Sequence, residues 1–253
     1  MEKIALVSGG ARGIGRAAAE IFIENGFKVI ILDRDVEELN KTCKQIVGAV
    51  PFNYDVSNEK SMKEISSRVD SEFGRLDCLI NNVGVAGPTG TIEKLTSKHW
   101  EKTLKINVIS HFYFTKLAIP MLKKNKGGSI INMSSGAGIM GFPLRSPYAA
   151  SKWAVIGITK TLAMELGKFK IRVNAICPGT IKGDRMVRVI RDKAKFLKIS
   201  KKYIERDFIS MASINSWIYE EDIGNMCSFL ISDDAKRISG QVIGVDGNAT
   251  RLD

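Results

Sequence analysis

A chain of 253 residues, 44% of them hydrophobic, can bury one sizeable core, and length alone allows one domain or two. Lys and Arg outnumber Asp and Glu by 38 to 27, a net charge of +11, but no basic tract is interleaved with aromatics. That spread argues for a solvated basic surface and against a nucleic-acid partner, while an anionic small-molecule substrate also suits the balance.

In chain order, Ile4-Ala5-Leu6-Val7 is an apolar run too short for a helix and bounded by Ser8-Gly9-Gly10, which predicts a buried parallel strand. The glycine-rich run Ser8-Gly9-Gly10-Ala11-Arg12-Gly13-Ile14-Gly15 follows. Ile14, Ala17, Ala18, Ile21 and Phe22 then share one helical face, and Asn25-Gly26 supplies a stop. Residues 28–33 predict a second strand ending in Asp33. Strand, glycine turn, helix, strand and acid is the layout of a dinucleotide-binding unit. Glycines such as Gly9, Gly13 and Gly15 let the backbone turn tightly and approach a pyrophosphate at the positive end of the helix. Asp33 can accept hydrogen bonds from both ribose hydroxyls and would repel a 2′-phosphate, so NAD is expected over NADP. Arg12 pulls weakly the other way, since it could reach a phosphate.

Residues 50–54 predict a third strand ending at Asp55-Val56, and Ser57 is placed to cap a helix carrying Met62, Ile65, Val69 and Phe73. Residues 76–80 predict a fourth strand, ending at the polar cluster Asn81-Asn82-Val83-Gly84, in the crevice where such sheets bind ligands. A Gly/Pro loop spans 85–91. Residues 100–124 read as one long helix, with Leu104, Val108, Phe112, Thr115 and Ile119 at helical spacing. A fifth strand is predicted at 128–133, ending in Ser134-Ser135-Gly136, and a loop with Phe142 and Arg145 leads to Tyr148 and a helix reaching Leu166. Residues 171–177 give a sixth strand, stopped by Pro178-Gly179. Residues 180–215 break the rhythm, being helix-prone, basic and less apolar. An amphipathic helix at 221–230 and a seventh strand at 241–245 complete the chain. With no linker or repeat, these elements imply a single doubly wound α/β domain over 1–253, Rossmann-type, a seven-stranded parallel sheet flanked by helices.

Tyr148 and Lys152 are four residues apart and share one helical face. A phenol of pKa about 10 is a poor base at neutral pH, and a fixed ammonium beside it favours the phenolate. Such a pair can pass a proton to or from a substrate oxygen. No apolar run approaches the roughly 20 residues of a membrane span, and Met1-Glu2-Lys3-Ile4 carries no secretory pattern. Cys43, Cys78, Cys177 and Cys227 are scattered and read as reduced thiols, so a cytoplasmic protein away from membranes is expected. His99 and His111 belong to no ligand-spaced cluster, so no metal is expected, and His111 reads as a packing residue.

Together these motifs resemble the short-chain dehydrogenase/reductase family in its single-domain form. Ser8-Gly9-Gly10-Ala11-Arg12-Gly13-Ile14-Gly15 is similar to that family's Thr-Gly-x-x-x-Gly-x-Gly, and Asn81-Asn82-Val83-Gly84 to its Asn-Asn-Ala-Gly. Ser135 falls where the catalytic serine lies, thirteen residues before Tyr148. Tyr148 and Lys152 match Tyr-x-x-x-Lys, Pro178-Gly179 the Pro-Gly after the sixth strand, and Asn107 the fourth polar member of the active site. The resemblance implies an oxidoreductase passing a hydride between NAD(H) and a secondary alcohol or ketone. It casts Tyr148 as acid/base, Ser135 as the group that holds the substrate oxygen, and Lys152 as the group that lowers the tyrosine's pKa and holds the nicotinamide ribose. Asn107 would anchor a water in a relay to Lys152. It further implies that Asp55 and Val56 contact adenine, that Asn82 and Gly84 flank the adenosine side, and that the Ile181 backbone binds the carboxamide. One departure is Gly183, where the family often has a threonine whose hydroxyl binds the cofactor carboxamide. By the same resemblance the chain is expected to form a homo-tetramer or homo-dimer through the helices that begin near Trp100 and Tyr148 and through the C-terminal region.

Specificity is expected from the loop 137–147 and from a substrate-binding lid over 183–215, rich in Arg and Lys. Arg145 or Arg185 is the candidate grip for an anionic, hydroxy acid-like substrate. The competing reading makes the charges a solvated face, with Met186, Val189, Ile190 and Phe196 turned inward. The alternatives for function are an NADPH-dependent 3-oxoacyl-carrier-protein reductase, which Asp33 argues against, and a non-catalytic dinucleotide-binding protein, which the full Asn107, Ser135, Tyr148 and Lys152 set argues against.

Overall fold

The structure is a computed structural model and describes residues 2–55 and 59–251, the side chains of 59–62 excepted. The expectations for Val56 and Ser57 lie outside the described residues. The strands are β1 (Lys3–Ser8), β2 (Phe27–Asp33), β3 (Ala49–Asn53), β4 (Cys78–Asn81), β5 (Gly128–Met133), β6 (Ile171–Pro178) and β7 (Val242–Val245). They pair in parallel in the order β3-β2-β1-β4-β5-β6-β7, so the direction of winding reverses between β1 and β4. Between them run α1 (Gly13–Glu24), α2 (Val36–Gln45), α3 (Glu59–Phe73), α4 (Ser97–Leu104), α5 (Ser110–Lys124), α6 (Ser146–Leu166), α7 (Asp184–Leu197), α8 (Lys201–Ser210) and α9 (Glu220–Ile231).

The strands are apolar at successive positions because helices cover both faces of the sheet. Leu6, Ile30, Leu32 and Leu79 pack with Ile65 and Val69 of α3, Phe114 and Leu122 of α5 and Leu166 of α6. Their alternating neighbours Ala5, Val7, Val29, Ile31 and Ile80 pack on the other face with Ala18 and Phe22 of α1, Leu39 of α2 and Ile223, Cys227 and Leu230 of α9. This period-two division is the expected signature of a strand buried on both sides.

Two local features depart from the sequence reading. Helix α2 has only Leu39 and Thr42 buried, too thin an apolar stripe to read from pattern alone. It forms because Asp35 caps it, accepting a hydrogen bond of 3.2 Å from the Glu38 N–H, with Glu37 and Glu38 in the positive first turn. The long helix expected at 100–124 begins earlier, at Ser97, behind a Thr96–His99 capping box, and is broken by a π turn at Lys105–Ile109. The extra residue in that turn rotates the helix faces. The buried side is Thr103, Asn107, His111, Phe114, Ala118 and Met121, whereas Phe112 of the apparent stripe is 49% exposed.

Helices α7 and α8 share a cluster of their own, Val189, Ile190, Ala194, Ile204, Phe208 and Met211, packed against Ala86 and Phe142 beyond the strand ends. Met186 is half-buried and Phe196 exposed, so the inward set is narrower than the sequence suggested. All four cysteines are free thiols; Cys78, Cys177 and Cys227 are buried and Cys43 half-buried. No helix among the described residues is long and apolar enough to cross a membrane.

Candidate active site

A cleft of about 1540 Å³ opens at the C-terminal ends of the strands, above the reversal between β1 and β4. Open parallel sheets bind ligands at this point. Of the residues singled out from sequence, Gly9, Arg12, Gly13, Ile14, Asp33, Asp55, Asn82, Gly84, Ser135, Arg145, Tyr148, Lys152, Pro178, Gly179, Ile181 and Arg185 all line it. Gly15 and Asn107 are buried and do not line it. Asn81 is buried in the sheet, its amide donating to Asn132 Oδ1 at 2.8 Å.

At one end, Gly9 and Gly13 hold positive φ of 65° and 59°. A side chain on Gly15 would run into the carbonyl oxygen of Gly9 and lie 2.9 Å from the Gly10 Cα. Asn82 ties β4 to this turn by donating to the Gly9 carbonyl at 2.9 Å. Asp33 accepts from the Ala11 N–H at 3.3 Å and the Asp35 N–H at 3.2 Å, which fixes its carboxylate at the tip of β2. The Arg12 guanidinium is bridged to Asp35 at 3.0 Å and Glu38 at 3.1 Å.

Glu220 was not anticipated from sequence. Its Oε1 stands 3.3 Å from where a Cβ on Gly13 would sit and 3.1 Å from the same point on Gly183. Burial raises its pKa, and Glu221 and Asp184 add to the rise.

At the other end, α6 presents Tyr148 and Lys152 on one face, with Lys152 Nζ 5.8 Å from the tyrosine ring centre. Lys152 donates to the Met133 carbonyl at 2.8 Å. Burial, and then the charge of Arg185, lower its pKa to about 7. Ser135 follows β5, its hydroxyl accepting from the Ala137 N–H at 3.3 Å. Asn107 is delivered by the π turn. It donates to the Val85 carbonyl at 3.0 Å and to Ser151 Oγ at 2.9 Å, and accepts from the Val85 N–H at 2.7 Å. A Cβ on Gly84 would lie 3.4 Å from Asn107 Oδ1 and 3.5 Å from Lys152 Nζ. His111, also buried, meets the Val83 carbonyl through Nε2 at 3.2 Å; burial, then Lys152, lower its pKa to about 3.

Both arginines near the reaction centre grip the loop after β4. Arg145 is 4% exposed; it donates to the Ala86 carbonyl at 2.8 Å and Thr89 Oγ1 at 2.9 Å. Its Nε is buried with no hydrogen-bond partner among the described residues. Arg185, at the start of α7, donates to the Gly84 carbonyl at 2.7 Å.

The same architecture recurs in solved structures. A variant of actinorhodin polyketide ketoreductase with NADPH superposes at TM-score 0.93, 27% identical, covering 97% of this chain and 96% of that one. NAD+-bound xylitol dehydrogenase superposes equally well, at TM-score 0.93 and 29% identity, covering 97% and 98%. In sequence, trans-4-hydroxycyclohexanecarboxylate dehydrogenase of Sinomonas cyclohexanicum is 34% identical over 98% of this chain and 93% of its own length. The family model described as short chain dehydrogenase matches residues 3–195, a stretch that contains both the glycine turn and the Tyr148–Lys152 pair. A likeness that holds across fold, length and sequence in this way places the chain in the short chain dehydrogenase family.

Proposed function

We propose that the protein moves a hydride between NAD(H) and a secondary alcohol or ketone, and that the Tyr148–Lys152 pair, facing a cleft that also holds Ser135, carries the reaction. The dinucleotide, when bound, supplies the hydride donor or acceptor. Tyr148 gives or takes the proton at the substrate oxygen, and Ser135 holds that oxygen and the charge that develops on it. Lys152, with a pKa lowered to about 7, still carries positive charge near neutrality and stands 5.8 Å from the centre of the Tyr148 ring. Asn107 and Lys152 both lie against Gly84, which supports a water held between them as the proton relay.

The chain's own groups also suit the nucleotide. Lys182 N–H donates to the Ile218 carbonyl and Ile218 N–H to Thr180, so the Ile181 amide points away from that pairing, free for the carboxamide. Asp55 serves the adenine, with Asn82 and Gly84 on the adenosine side. NAD is preferred over NADP because Asp33, Asp35 and Glu38 crowd the ribose end while Arg12 is already paired with two of them. The same carboxylates argue against an NADPH-dependent acyl-carrier reductase. Titration with NAD and NADP tests this; tighter binding of NADP would overturn it.

The substrate carries an anionic group taken by Arg145 or Arg185 beneath the α7–α8 lid. The unpartnered Arg145 Nε supports this, as does a relative named for a hydroxy-carboxylate substrate. Turnover of a hydroxy acid and its uncharged analogue in Arg145→Ala decides it: selective loss on the acid is expected, and equal losses would sink the idea. We further propose a single domain and a homo-tetramer or homo-dimer in a reducing cytoplasm, without nucleic-acid or membrane partners.

A further inference from the structure

Glu220 is the first residue of α9, and its carboxyl group lies against the head of α1, where Gly13 leaves room for it. In a dinucleotide-binding turn, the head of that helix is where the diphosphate settles, drawn by free N–H groups and the helix dipole. Gly183, at the head of α7, borders the same carboxyl from the other side. A carboxylate therefore stands in the diphosphate's approach, between two helix N-termini that each favour an anion.

The surrounding charges do little to offset it. Arg16 on α1 is a cation that acts on Glu220, but its Nε is bonded to Glu20 at 2.9 Å. Arg12 is held by Asp35 and Glu38. Glu20 on α1, Asp184 on α7 and Glu221 on α9 all add like charge.

We propose that Glu220 is a charge gate on the dinucleotide site, its carboxylate competing with the cofactor's diphosphate for the head of α1. The inference rests on the reading of this cleft as a dinucleotide site. Tight binding then requires Glu220 to be protonated or turned away. The Glu220 pKa, already raised in the free protein, rises again when a diphosphate arrives, so binding takes up a proton. Affinity falls as pH rises through the window between those two values and levels off above it.

Calorimetric titration of wild type, Glu220→Gln and Glu220→Ala with NAD+, ADP and adenosine, from about pH 5 to about pH 8, separates the outcomes. Both variants should bind NAD+ and ADP roughly tenfold more tightly than wild type at the alkaline end, the effect of one like-charge contact, and should converge with it in acid. Adenosine, which has no phosphate, should bind all three proteins alike. Wild type alone should take up a proton with NAD+. Equal or weaker binding of NAD+ and ADP by the variants overturns the gate, as does tightening in Glu220→Gln alone, which would reflect a new amide bond. An equal shift for adenosine overturns it too. If none of the three proteins binds any of these ligands, the dinucleotide reading itself falls and the gate with it.

Discussion

Tyr148 is flanked by two cations of different kinds: Lys152 and Arg145 each lie 5.8 Å from its ring centre. The tyrosine hydroxyl carries the proposed proton transfer, so Tyr148→Phe is expected to lower turnover by about 10²- to 10⁴-fold. NAD+ affinity, measured by titration, should stay within a factor of about two, because the ring remains. Undiminished turnover would refute the assignment. Gly15 is a purely steric matter, since any Cβ there meets the Gly9 carbonyl and the Asn82 amide. Gly15→Ala should therefore cost about 1–3 kcal/mol in urea unfolding and weaken adenosine binding; full stability would show that the turn can open. His111 gives a pH test. Its folded pKa of about 3 lies below the ordinary 6.5, so the unfolded chain binds more protons in that window. Stability is present above pH 6.5 and is lost as pH falls toward 3, by at most about 1.4 kcal/mol per pH unit. Urea midpoints of His111→Asn should fall less steeply over the same range than those of wild type; parallel slopes would exclude His111 as the cause.

Among the elements, α7 joins the lid to the chemistry. Arg185 bonds the Gly84 carbonyl and, after burial, is the next cause of the depressed Lys152 pKa. Removing its charge should raise that pKa, moving the alkaline limb of the kcat profile upward in Arg185→Met, whereas Arg185→Lys should hold it in place. A limb unmoved in Arg185→Met would mean that burial alone sets Lys152. Exposed apolar side chains on α5 and α6, Phe112 at 49% and Trp153 at 51%, fit the proposed assembly. Phe112→Asp with Trp153→Asp should shift the sedimentation coefficient toward the monomer; an unchanged value would place the contact elsewhere. The elements also show what a sequence can reveal. Strand β5 is read at its observed ends because Gly128 and Ser134 bracket a short β-branched stretch built on Ile130 and Ile131. Helix α2 is missed because capping and charge, not a wide apolar face, hold it. The π turn is invisible to a 3.6-residue period, yet it is what turns Asn107 inward. Tyr148, Lys152 and Ser135 were legible because their spacing is local chemistry. Glu220 was not, since its place depends on α9 packing against α1 across more than 200 residues of chain.

At the scale of the whole molecule, the +11 net charge is spread over a solvated surface, including the exposed Lys195, Lys198, Lys201 and Lys202 of the lid region. The interior has the opposite character. Cys78 on β4, Cys177 at the end of β6 and Cys227 on α9 are sealed within the core, and burial raises the pKa of each, that of Cys227 to about 12. Protonated and out of reach, they are poor nucleophiles for as long as the chain stays folded. The molecule thus contains its own unfolding clock: an aromatic disulfide reagent should label Cys43 early and the other three only when the sheet opens. Saturating NAD+ should slow the late phase in proportion to its affinity, giving a reading of cofactor binding that needs neither a substrate nor a turnover.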